Sequence, residues 1–226
     1  MKIISIHQSQ YLPWTPYFKK IYLSDEFVVM DNVQFQKNGV QNRNKLRNAH
    51  GEYWLTLPVT HKLNETIADK KVVQIEKTLK KHWRSIEQSY FKAPYWDKYS
   101  QELYKLYSQS YDSLFELNQS LFMFIIQKLN IETKITILSE VDVIGEKSEL
   151  VLNICKKLNA THYLSGLGAS SYMKEQDFLH ANIQIRYLPS IAPLYKQFHG
   201  DFINGMSIID FMMNASIEEI HYYFRS

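Results

Sequence analysis

The stretch Ile3-Ile4-Ser5-Ile6-His7-Gln8-Ser9-Gln10-Tyr11-Leu12-Pro13-Trp14 decides how this chain is read. Its β-branched opening is short and apolar, ends abruptly in a polar and aromatic cluster, and is followed by breaks at Pro13 and Pro16. That pattern is a buried strand handing a histidine to a loop at its carboxyl end. In open α/β sheets that edge is where ligands bind. A lone histidine there would read as a hydrogen-bonded core residue. Two glutamines, Tyr11 and Trp14 around His7 turn the reading toward a ligand-facing loop.

Working outward, Tyr17 to Leu23 predicts a short helix and Glu26 to Met30 a second apolar strand. Strand, loop, helix, strand is the opening of a parallel α/β unit. A polar loop is expected over Asp31 to Arg47, a strand over Tyr53 to Val59, and a weaker strand over Lys71 to Ile75. From Thr78 to about Leu129 the pattern is helical, with Leu103, Leu106, Tyr107, Ser110, Leu114 and Leu117 at spacings of three and four and an interruption at Ala93-Pro94. Strand character resumes over Lys134 to Leu138, His162 to Leu164 and Ile183 to Leu188, with a helix over Ser148 to Leu158. The expected fold is α/β, a Rossmann-like three-layer core with a mainly helical middle insertion. It forms a single domain over residues 1–226 with a helical subdomain at about 78–130.

Composition narrows the class. A 45% hydrophobic chain of 226 residues has ample material for a core, and seven glycines, six prolines and 22% charged residues exclude collagenous or disordered types. Sixteen tyrosines exceed what a core needs, and tyrosine lines sites for sugars, bases and proteins. A formal charge of +3 implies no nucleic-acid partner, and the basic run around Trp83, from Lys77 to Arg84, reads as a solvated helix face. Within it Trp83, Ile86 and Tyr90 form a core stripe, while His82 lies off that stripe, toward either the site or solvent. The single cysteine, Cys155, reads as a small buried hydrophobe. The N-terminus enters a strand pattern directly, and no apolar run approaches the roughly 20 residues that span a bilayer, so no membrane insertion and a cytoplasmic location are expected.

Several constellations could carry chemistry. Asp31-Asn32-Val33-Gln34-Phe35 with Gln41-Asn42-Arg43-Asn44 supplies a carboxylate at a strand end, amides and a guanidinium suited to hydroxyls, carboxylates and phosphates. It reads equally as an Asx-type turn. Gly145-Glu146-Lys147-Ser148 lacks the glycines of a phosphate-binding loop; Ser148 is the expected N-cap, with Lys147 able to meet an anion. Tyr163-Leu164-Ser165-Gly166-Leu167-Gly168-Ala169 is a strand running into a small-residue loop that admits a ligand close to backbone N–H groups. Tyr163 stands where a nucleophile-elbow glycine would be, so Ser165 is no hydrolase nucleophile. No spacing of Cys and His suits zinc, and no dinucleotide fingerprint is present. His7, Asp31 and Ser165, each at the carboxyl end of an expected strand, should meet at one sheet edge.

Ile6-His7-Gln8, Tyr11-Leu12-Pro13-Trp14, Asp31-Asn32-Val33-Gln34-Phe35, Asn42-Arg43, Lys81-His82-Trp83, Tyr163-Leu164-Ser165-Gly166, Tyr195-Lys196-Gln197 and Ser207-Ile208-Ile209-Asp210 resemble, in this order, the WbqC-like family. The resemblance covers nearly the whole chain. Ser9-Gln10 stands where that family usually has Pro-Asn, Thr15-Pro16 where it usually has a glycine before an aromatic, and Asn214-Ala215 where it often has Asn-Gly. The resemblance implies a setting in bacterial O-antigen and related surface-sugar biosynthesis, and a glycine-transferase role. The implied activity is an acyl or aminoacyl transferase forming an amide on an amino sugar, expected to be nucleotide-linked, with ATP or another activated acyl donor. The alternatives are a non-catalytic sugar- or nucleotide-binding accessory protein and an aminoacyl-tRNA-dependent transferase. Under the leading reading His7 or Asp31 is the base, and Gln34, Asn42 and Arg43 orient substrate. The loop with Ser165, Gly166 and Gly168 cradles an anion, and Gln8, Tyr11, Trp14, His82, Lys147, Tyr195 and Gln197 complete the binding surface.

Overall fold

The structure, a computed structural model, describes residues 1–62 and 64–226. Strand β1 (Ile3–Gln8), helix α1 (Thr15–Tyr22) and strand β2 (Glu26–Met30) open it. A hairpin of β3 (Arg43–Asn48) and β4 (Gly51–Thr56) leads to helices α2 (Ile75–Tyr90), α3 (Trp96–Tyr107) and α4 (Leu114–Lys128). Then come β5 (Lys134–Ile137), α5 (Lys147–Lys157), β6 (His162–Gly166), α6 (Glu175–His180), β7 (Gln184–Leu188), α7 (Ile208–Asn214) and α8 (Ile217–Arg225).

The main sheet has the order β5-β2-β1-β6-β7, every neighbour parallel. From central β1 the chain builds outward through β2 to β5, then crosses back to lay β6 and β7 on the other side. The order therefore reverses between β1 and β6, where doubly wound sheets bind ligands. The β1–β6 ladder runs only from Ile3↔His162 to Ser5↔Leu164, whereas β1–β2 continues to Gln8↔Met30 and β6–β7 to Gly166↔Leu188. The two central strands thus part company short of their carboxyl ends, leaving a cleft there.

Strand alternation assigns the two faces. Ile4 and Ile6 of β1 and Val28 of β2 pack with Ile154 and Cys155 of α5 and Phe178 of α6. Phe27 and Val29 of β2 turn the other way, into one cluster with Phe18 and Ile21 of α1, Leu79, Leu103 and Ile125 of α2 to α4, and Ile209 of α7. Helix, sheet and helix make the three-layer Rossmann-like arrangement, and each large apolar side chain fully buried in it contributes about 1.5–3 kcal/mol. On β1 the same alternation turns Ser5 and His7 toward α1. Cys155 is buried, and burial pushes its thiol up to about 12.

Several elements differ from the sequence expectation. Pro16 lies in the first turn of α1, so the helix begins at Thr15 rather than Tyr17; proline is well placed there because that N–H has no intrahelical partner. The end of the expected loop at 31–47 is strand: β3 is mostly polar but pairs with β4 from Arg43↔Thr56 to Asn48↔Gly51. Strand β4 stops at Thr56, before Pro58, and the expected strand at Lys71 to Ile75 is only a bridge between Val59 and Val72 before α2 begins. The helical stretch breaks twice, at 91–95 and at 108–113, where the Ser113 hydroxyl caps α4 by accepting from Glu116 N–H. Ser148 is no N-cap: α5 begins one residue earlier and its hydroxyl accepts from Lys174 N–H at 2.9 Å. The loop after β1 is clasped by a late segment. Trp14 bridges Ser207, Ile208 N–H donates to Pro13 O at 2.8 Å, and Ser207 N–H donates to Lys45 O at 2.9 Å. Among the described residues no helix is long and apolar enough to cross a membrane.

Candidate functional site

Where β1 and β6 separate, a crevice of about 60 Å³ is lined by His7, Trp14, Pro16, Tyr17, Lys20, Gly166, Leu188, Pro189 and Ser190. Ligand pockets for whole drug-sized molecules run to roughly 300–1,000 Å³, so this crevice admits a compact group and not a whole nucleotide. Gly166 and Leu188 are paired in register, and a Cβ built on Gly166 meets nothing within 4 Å, so this glycine opens onto free space.

His7 is held from three sides. Its ring stands edge-on to Tyr17 with centroids 5.0 Å apart, and Nδ1 lies 3.3 Å from Gln8 O and 3.2 Å from the Gln10 amide. Gln10 Oε1 is otherwise buried without a partner. With that amide turned about, a single Nδ1–H serves both Gln8 O and Gln10 Oε1, an assignment under which Nε2 is a bare acceptor. Burial first, then the Lys20 charge, lowers the imidazole to about 3 despite the Gln8 hydrogen bond. It is neutral at physiological pH.

Lys20 lies three residues after Tyr17 and four after Pro16, on the face of α1 that meets the strands. Its neighbour Lys19 points away, to Ser226 and the Tyr223 ring. Lys20 is only 4% exposed, and its Nζ donates to Ile6 O at 3.0 Å, a carbonyl just past the end of the β1–β6 ladder. Burial lowers its amine to about 7.

Of the residues expected from sequence, the crevice brings together His7, Trp14 and Gly166. Asp31 and Ser165 stand at the same carboxyl edge but are turned inward: Asp31 Oδ1 accepts from Ser139 N–H at 3.0 Å, and the buried Ser165 hydroxyl donates to Gly166 O at 3.2 Å. Gln8 Oε1 accepts from Gln41 Nε2 at 2.8 Å. Tyr11 is fully buried, its hydroxyl 2.8 Å from His82 Nδ1 and 2.7 Å from the Tyr107 hydroxyl. His82 faces neither solvent nor crevice; its Nε2 bonds Thr56 O at 3.1 Å, and burial lowers it to about 4. Asn42 donates to Leu57 O at 2.7 Å, and the Arg43 guanidinium covers the Trp54 ring at 4.5 Å. Gln34 is exposed and 3.4 Å from Asn64 Oδ1, and Lys147, the first residue of α5, and Gly168, in the turn after β6, are exposed and outside the crevice lining.

Tyr195 and Gln197 belong to a different centre. Asp210, 1% exposed, accepts from Tyr90 at 2.8 Å, Tyr195 at 2.6 Å and Gln197 Nε2 at 3.1 Å. Gln197 Oε1 accepts in turn from Arg47 and from Ile203 N–H. Burial pushes the Asp210 carboxyl up against the pull of the two hydroxyls. This network fastens the segment after β7 to β3 and α2. A larger groove, about 470 Å³, lies between α2 and α3 over the stacked Trp83 and Trp96 rings, and no strand-end residue lines it. The crevice joins the switch point to a half-buried histidine and a buried lysine. Tyr17, Lys20 and the turn Leu188 to Ser190 are its contributors that sequence reading missed; a lysine bordering the apolar arc of Tyr17, Phe18 and Ile21 was the available signal.

The model of the WbqC-like protein family matches residues 8–222. "Uncharacterized protein Rv1507c" of Mycobacterium tuberculosis (strain ATCC 25618 / H37Rv) is 31% identical over 230 residues, spanning 98% of this chain and 97% of that protein. No solved structure matches.

Proposed function

This chain belongs to the WbqC-like protein family, and from that premise we propose that it acts in surface-polysaccharide (O-antigen-type) biosynthesis as an amide-forming transferase. It passes glycine or another small acyl group from an activated donor to the amino group of a nucleotide-linked amino sugar. The observation that carries this reading is the cleft at the β1/β6 switch point with His7 and Lys20 on its wall. In the reaction the amine lone pair forms the C–N bond, the bond to the donor's leaving group breaks with its electron pair, and the proton lost from nitrogen ends on that departing group or in solvent. His7, neutral at working pH, accepts a hydrogen bond from the amine and aims its lone pair at the donor carbonyl; so weak a base suits orientation better than proton storage. Asp31, bonded to Ser139, supports the edge beside it.

The test incubates purified protein with nucleotide-linked amino sugars and glycine, supplied with ATP, as a thioester or as glycyl-tRNA, and looks by mass spectrometry for a glycyl adduct. His7→Ala should lose most turnover while keeping sugar affinity. No adduct with any donor would sink the reading. Sugar binding that His7→Ala leaves intact, with no turnover in either protein, would favour the accessory-binder alternative.

A further inference from the structure

Lys20 presents an unusual account of charge. An ammonium carries three donors. One is spent on Ile6 O, and among the described residues no carboxylate pairs with it. A buried charge without a counter-charge costs several kcal/mol, and a protein relieves that cost by deprotonating the group or by supplying the opposite charge. The side chain lies along the wall of the crevice, which has room for one compact group. We propose that this crevice is an oxyanion site, in which Lys20 binds a single carboxylate or phosphoryl group of the ligand and takes up a proton as it does so.

The groups facing Lys20 fit this assignment. His7 from β1 and Tyr17 from α1 are the other titratable residues of the lining, while β6 and the turn after β7 contribute Gly166, Leu188, Pro189 and Ser190, none of them charged. His7 is neutral and burial raises the Tyr17 hydroxyl, so neither ionises between pH 6 and 9. The crevice lining therefore has one group able to change charge near neutrality, because burial lowers the Lys20 amine to about 7. Gly166, with open space before its Cα, leaves the anion room to approach. The inference rests on the crevice being the ligand site of the proposed transferase and adds which chemical group of the ligand enters it: the phosphate of a nucleotide-linked or activated substrate, or the carboxylate of an amino acid.

Two probes whose own charge is fixed between pH 6 and 9 test it on the whole chain, sulfate for a tetrahedral dianion and acetate for a carboxylate. Titration calorimetry and the Lys20 Cε NMR shift should show the preferred probe binding with proton uptake. Its affinity should fall roughly a hundredfold from pH 6 to pH 9, about tenfold per unit above 7. Preference for sulfate identifies the phosphoryl source and preference for acetate the carboxylate. Lys20→Met, an apolar replacement suited to the site, should retain the thermal transition and lose the pH-dependent binding. Affinity flat across this range in the wild-type chain, or unchanged in Lys20→Met, would overturn the proposal. Neither probe needs an amino sugar, so failure of amide formation and failure of the anion site are read separately.

Discussion

Replacing Tyr195 by phenylalanine removes one hydroxyl from the Asp210 centre and little else. That hydroxyl donates at 2.6 Å to a carboxylate 1% exposed, which keeps donors from Tyr90 and Gln197 but loses its shortest contact. A hydrogen bond to a charged buried group is worth about 1.5–3 kcal/mol. For a chain of this length each kcal/mol moves the melting temperature by about 2–4 °C, so Tyr195→Phe should melt roughly 3–12 °C lower. The matched control is Tyr222→Phe, at a tyrosine 77% exposed, which should stay within about 0.5 kcal/mol of the parent. Both are measured by calorimetry at pH 7. Tyr90→Phe and the double variant complete a cycle, with a coupling of about 0.5–3 kcal/mol because both hydroxyls serve one carboxyl group. If Tyr195→Phe melts with Tyr222→Phe, Asp210 does not hold the late segment in place and the reasoning fails.

Gly166→Ala separates packing from ligand access. Its backbone is extended and its Cβ would meet nothing, so stability should hold or rise by about 0.4–1 kcal/mol, while sulfate or acetate binding in the crevice weakens; a substantial melting loss would show the space to be needed by the fold. Glu26 predicts the acid limb of stability. Burial alone would raise its carboxyl, but Thr136 at 2.7 Å and Lys134 and Lys2 at 2.9 Å outweigh it and hold the group at about 2. Because the folded value lies below the unfolded one near 4.5, its contribution is complete above 4.5 and drains away as pH falls toward 2. Glu26→Gln should flatten denaturant-midpoint profiles in that window, and parallel profiles for the two proteins would remove the assignment.

The buried parallel strands were legible because their sequences have few other uses. Ile3 to Ile6 and Glu26 to Met30 are apolar runs too short for helices and bounded by polar or proline residues. Strand β3 was hidden because Arg-Asn-Lys-Leu-Arg-Asn carries no alternation, and its pairing with β4 comes from the hairpin as a whole. The candidate site was half legible. His7 follows directly from its place at the end of β1, whereas Lys20 reads as half of an ordinary Lys-Lys pair until α1 is docked and the two are seen to point apart. Tyr11, His82, Tyr195 and Gln197 show the converse. Polar and aromatic residues in clusters suggest ligand contacts, yet here Tyr11 bonds His82 from 71 residues away and Tyr195 and Gln197 both reach Asp210, pairings that composition and spacing do not reveal.

The clasp of Trp14 and Pro13 by Ser207 and Ile208 also bears on the order of events during synthesis. Strand β1 and its loop are synthesised almost two hundred residues before the backbone partners that fix the loop. Contacts so distant in sequence form late and slowly. Until α7 has emerged, the nascent chain has its central strands but no finished crevice wall. A frameshift or premature stop just before residue 206 would therefore disable the opposite end of the polypeptide, leaving a species that displays an unfastened N-terminal loop to chaperones and proteases.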